Sequence, residues 1–127
     1  MDAWISKYGD QIEAVVSQND AMALGAIEAL KAVGYFGEGG KSIAVYGINC
    51  IQTGLEAMEE GTLRGSVMTD MLSEGKVTFQ VVQNAMKGVE DITQGIDAEY
   101  EKEDKCFRVP TIPIRKENID TAWAMYK

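Results

Sequence analysis

The chain has 127 residues, 46% apolar and 25% charged, a composition that supplies a buried core and excludes a polar low-complexity tract. Its formal net charge of −8, from 12 basic and 20 acidic residues, weighs against a phosphate backbone or an anionic membrane surface as partner. With no histidine, the commonest general base and the commonest zinc ligand are missing, which argues against an enzyme.

Asp2 to Tyr8 reads as the last turns of a helix, with Trp4 and Ile5 as its apolar contacts. Met1 is followed by Asp2 and Ala3, without a basic segment and apolar core, so no signal peptide is expected in this chain, and no apolar run reaches the roughly 20 residues of a membrane span. Ile12 to Ser17, centred on Val15-Val16, predicts a buried strand. Ala21 to Val33 predicts a helix in which Leu24, Ile27 and Leu30 share a face, and Gly34 stops it.

Gly34 to Lys41 is glycine-rich, but it precedes a strand instead of the helix a phosphate loop opens, so it is read as a connection. Ser42 to Ile48 predicts a second buried strand, Thr53 to Glu60 a short helix, and Leu63 to Thr69 a third strand. Ser73 to Lys87 predicts a longer helix with two apolar stripes, one of Val77, Val81 and Ala85, the other of Phe79, Val82 and Met86. Glu90 to Lys105 reads as a solvated acidic loop, and Pro110 and Pro113 confine the following extended segment to an edge or a connecting strand. A final helix starts near Glu117 and packs Ile119, Trp123 and Met125, while Cys50 and Cys106 are expected as two unpaired thiols.

Strand and helix patterns alternate along the chain, which predicts an α/β fold with a doubly wound, three-layer parallel sheet. Right-handed crossovers place the C-terminal ends of the first three strands on one rim, where open α/β sheets bind ligands. Those ends carry Gln18-Asn19-Asp20, Asn49-Cys50 and Thr69-Asp70. Amides and carboxylates suit a polyhydroxylated ligand, because each can engage neighbouring hydroxyls. The same residue types also cap helices, and Asp20 is the simplest cap for the helix after the first strand, which would free Asn19 to face a ligand.

The segments "IEAVVSQNDAMALGAIEALKAVGY", "IAVYGINCIQTGLEAMEEGTLRGSVMTD" and "FRVPTIPIRKENID" resemble, in order and spacing, the C-terminal part of the galactose/glucose-binding receptors of bacterial ABC transporters. More broadly they are similar to the type I periplasmic sugar-binding proteins, and "MDAW" is similar to an internal helix of that family. The resemblance implies a fragment of a two-lobed binder that closes on a hexose such as galactose or glucose and passes it to an ABC permease, some members also signalling to chemoreceptors. Residues 1–69 would be the second half of the C-terminal lobe, and 70–105 a helix and acidic loop packed on an absent N-terminal lobe. Residues 106–127 would be a returning hinge strand and the C-terminal helix.

By the same resemblance, Asn19 matches an asparagine that hydrogen-bonds sugar hydroxyls. Asn49 stands where the family has a sugar-binding aspartate, and Thr69 where galactose/glucose members have an asparagine. Loss of the aspartate removes a charged acceptor, whose hydrogen bonds are about twice as strong as neutral ones, so affinity and sugar choice would change. Glu13 matches a calcium-ligating glutamate, but one carboxylate falls short of the roughly six to eight oxygens calcium takes, so no cofactor is expected here and calcium only in a full-length parent. The parent would be periplasmic, or extracellular and membrane-anchored. The fragment alone would bind sugar weakly or not at all and would self-associate through the exposed face of its long helix. Two other classes stay open: a sugar-sensing effector domain of a repressor, a class that shares this fold, and a self-contained flavodoxin-like signalling domain.

Overall fold

The computed structural model describes residues 1–127. The chain forms two units, Met1–Met68 with Ile112–Lys127, and Thr69–Thr111.

The first unit opens on α1 (Asp2–Tyr8) and a short 3-10 turn, then enters β1 (Ala14–Val16). There follow α2 (Asp20–Ala32), β2 (Ala44–Ile48), α3 (Gln52–Glu60) and β3 (Gly65–Thr69). β1 pairs parallel with β2, Val16 opposite Tyr46, and β2 pairs parallel with β3, Gly47 opposite Ser66. In the second unit α4 (Met71–Met86) leads to an antiparallel ribbon of β4 (Glu99–Glu101) and β5 (Cys106–Arg108). β6 (Thr111–Ile114) then completes the four-stranded sheet in the order β1-β2-β3-β6, and α5 (Ile119–Trp123) follows.

The sequence explains which face of this sheet is covered. Alternate residues of a strand point to opposite faces, so Val45 and Gly47 of β2 share a face with Ser66 and Met68 of β3, and all four are buried. α2 packs on β2, and α3 packs on both α2 and α5. Ile27 and Leu30 of α2, Leu55 and Met58 of α3, Leu63, Ile114 and Ala122 form the core with Val45. Fully burying a side chain of this size contributes about 1.5–3 kcal/mol.

On the other face Val16 is 83% exposed, and Tyr46 beside it lies over Gly65 and is also exposed. The expected buried strand at Ile12–Ser17 is therefore a three-residue edge strand whose Ala14 and Val16 face solvent. β1 is the outermost strand on this side of the sheet. Trp4, expected as an apolar contact of α1, is likewise 63% exposed.

In α4 only Val77 is buried, and Phe79, Val82 and Met86 all face solvent. The expected solvated loop over Glu90–Lys105 contains β4 instead. Tyr100 and Phe107 pair across the ribbon with rings 5.0 Å apart, and Arg108 bonds to Glu101 at 2.7 Å and Asp104 at 2.8 Å. Cross-strand aromatic and charge pairs of this kind stabilise a ribbon, and a charge-rich segment hid them. Both cysteines are free.

Candidate functional site

Parallel pairing puts the C-terminal ends of β1, β2 and β3 on one rim, and each is followed by a helix. Asn19 lies just past β1, Asn49 just past β2, and Thr69 is the last residue of β3. Asn19 and Thr69 are half-buried and Asn49 is exposed.

The joint after β1 divides its work differently from the sequence expectation. Asn19, not Asp20, caps α2: its Oδ1 accepts from the Met22 amide at 2.8 Å, from a backbone at φ −155°. A cap residue needs extended backbone dihedrals and a free oxygen, and Asn19 has both. Capping uses only that oxygen, so the two N–H groups of its side-chain amide are left without a partner in the protein. Ser17 fixes the joint by donating its hydroxyl to the Asn19 carbonyl at 2.9 Å.

Asp20 is turned the opposite way and is 0% exposed. Its Oδ1 accepts from the Ser66 hydroxyl at 2.7 Å and its Oδ2 from the Ile51 amide at 2.9 Å. Burial pushes its carboxyl above the usual carboxylate range, against the lowering influence of bonds from Ser66, Ile51 and Cys50. The carboxylate needs space that only glycine leaves. A Cβ on Gly47 would fall on Asp20 Oδ1, and one on Gly54 would come within 2.7 Å of Oδ2. Asp20 therefore links the Asn19 joint to the Asn49 turn and to β3.

The turn after β2 places Asn49 at φ 103° and Cys50 at φ 53°. Its successive amides are all occupied: Asn49 donates to the Val67 carbonyl at 2.8 Å, Cys50 to Ser66 Oγ at 3.2 Å, and Ile51 to Asp20. Tyr126 donates its hydroxyl to the Cys50 carbonyl at 2.9 Å. Burial pushes the Cys50 thiol up, so it stays protonated and unreactive. At the end of β3, Asp70 caps α4, accepting from the Ser73 amide at 3.1 Å and its hydroxyl at 2.6 Å.

Glu13 is exposed ahead of β1 and belongs to no cluster of metal-ligating side chains. Such a cluster occurs at Glu101, Asp104 and Cys106, where Arg108 already pairs with both carboxylates.

Residues 1–90 match the family described as "Periplasmic binding protein domain". The chain belongs to the periplasmic binding protein family. It is 33% identical over 120 residues to a D-galactose/methyl-galactoside binding periplasmic protein of Haemophilus influenzae, covering 94% of this chain and 34% of that protein. It is 35% identical over 122 residues to a xylitol-binding protein of Mycolicibacterium smegmatis, covering 96% of this chain and 30% of the relative. Among solved structures, an ABC transporter solute binding protein from Bacillus halodurans with bound myo-inositol superimposes with a TM-score of 0.73 at 33% identity, covering 98% of this chain and 37% of that one. The chain thus spans about a third of the length of these relatives. The named relatives are binding proteins for solutes, and no helix of this periplasmic binding protein chain is long and apolar enough to cross a membrane.

Sequence reasoning identified the rim and its three polar positions. It missed Asp20, Ser66 and Tyr126 as the groups behind the Asn49 turn. They lie 31, 16 and 76 residues from their partners in that turn, beyond any local pattern.

Proposed function

We propose that these 127 residues are part of an extracytoplasmic sugar-binding protein that captures a hexose or similar polyol and delivers it to an ABC transporter permease. The observation that carries this reading is the rim itself. The Asn49 side chain, the Asn19 amide N–H groups and the Thr69 hydroxyl make no hydrogen bond within the protein, although their neighbours Asp20, Ser66 and Asp70 are fully engaged. Groups left free in this way are the donors and acceptors a polyol needs.

The ligands of these relatives, galactose, xylitol and myo-inositol, share a run of hydroxyls and no charge. A neutral Asn49 suits such ligands. In this reading Asn19 donates to one hydroxyl, Asn49 donates to one and accepts from another, and Thr69 adds a further contact. The exposed Phe79, Val82 and Met86 stripe of α4 is read as a surface for a second lobe, and in its absence as a self-association face. Glu13 would contribute to a calcium site only with oxygens from outside these residues.

Titration calorimetry of the full-length protein against galactose, glucose, myo-inositol and xylitol tests the reading. It predicts saturable binding of at least one of the four, and the 127 residues alone are expected to bind far more weakly. Absence of heat with every polyol would contradict it.

A further inference from the structure

Two consecutive residues other than glycine hold positive φ at Asn49 and Cys50, a conformation that side chains disfavour and that persists only where the surroundings impose it. Those surroundings come from three distant parts of the first unit: Asp20 from the start of α2, Ser66 from β3 and Tyr126 from the last turn of the chain. We propose that Asp20, Ser66 and Tyr126 form an internal clamp that holds the Asn49-Cys50 turn in its left-handed conformation and so fixes where the Asn49 amide stands. Its value for ligand binding rests on the reading of Asn49 given above. The clamp itself does not.

The geometry is closed on both sides of the peptide chain. Ser66 Oγ accepts from the Cys50 amide and donates its own hydroxyl hydrogen bond to Asp20 Oδ1, while Oδ2 accepts from the Ile51 amide. Opposite them the Tyr126 hydroxyl holds the Cys50 carbonyl. Pinning the N–H and the C=O of one residue fixes the orientation of both its peptide planes, because the backbone turns only about φ and ψ. The Asn49 side chain touches none of the three clamp residues through a hydrogen bond, so they are positioning residues that act through the backbone. Gly47 and Gly54 belong to the same device, since any Cβ there would displace the carboxylate.

The test needs no sugar. In the 127-residue chain, amide exchange of Cys50 and Ile51 is followed by NMR beside that of Leu30 and Val45 in the core, together with the HN–Hα coupling of Asn49. Tyr126→Phe removes one hydroxyl from a side chain at the surface, and Ser66→Ala removes the buried relay. Each is expected to raise exchange at Cys50 or Ile51 by about tenfold, the effect of one lost hydrogen bond, to move the Asn49 coupling, and to leave Leu30 and Val45 unchanged. Cys50→Gly in the Tyr126→Phe background, which relieves the φ penalty, is expected to return the coupling towards its original value.

Unchanged exchange and coupling in Tyr126→Phe would overturn the clamp. So would a rise shared equally by Leu30 and Val45, which would mark a general loss of stability. A failed sugar titration would remove the role given to Asn49 and leave these rates as they are.

Discussion

Asn19 and Asp20 are adjacent, similar in size and opposite in use. The extended backbone of Asn19 turns its oxygen onto the first turn of α2, whereas Asp20, one residue on, faces the sheet and is enclosed. Both are common capping types, so composition alone could not divide the roles. What decides them is the pair of bare positions at Gly47 and Gly54, which leave room for a carboxylate but not for a Cβ. Asn19→Ala is expected to cost about 1 kcal/mol, read as a lower denaturant midpoint at unchanged slope. Gly47→Ala drives a methyl group into the Asp20 carboxylate and is expected to destabilise by about 1–3 kcal/mol. Burial raises the Asp20 carboxyl in the folded state, so the folded chain holds this proton to a higher pH than the unfolded chain. Its linkage contribution is full below the ordinary carboxylate pKa of about 3.9 and is lost as pH rises through the raised folded value. Stability measured against pH should therefore fall less across that window in Asp20→Asn than in the unaltered protein.

Among the elements, α2, β2, α3, β3 and α4 were legible because their periodicity and their stops are local. β1 was legible as a strand but not as an exposed one, since exposure depends on what lies beside it. The β4-β5 ribbon was hidden because its pairing rests on Tyr100 with Phe107 and on Arg108 with two acids, contacts that a charge-rich stretch does not announce. Asp70 shows how a cap responds to pH. Hydrogen bonds from the Ser73 hydroxyl and amide hold its carboxyl below the usual range, so its contribution is present above the ordinary pKa and is lost as pH falls through the depressed value. Asp70→Asn should leave α4 less sensitive to acid, as read from the helical signal of the chain between neutral pH and pH 3. On the outer stripe of the same helix, Phe79→Ser with Met86→Ser is expected to reduce self-association in sedimentation with little loss of stability, because both side chains are already in water.

For the molecule as a whole, one face of the parallel sheet is packed and the other leaves Val16 and Tyr46 in solvent, in a chain about a third as long as its relatives. The rim was legible because parallel connections have one hand and one loaded end. The ligand was not, because Asn49 and Thr69 offer hydrogen bonds without fixing their order around a ring. Asn49 as a ligand contact is tested most directly by comparing the sugar affinity of the full-length protein with that of its Asn49→Gly form, which removes the amide and keeps the positive φ without steric cost. A loss of about tenfold or more, the effect of deleting hydrogen bonds worth roughly 1.4 kcal/mol or more, at unchanged thermal stability is the result expected. Equal affinity for every polyol that binds would contradict it.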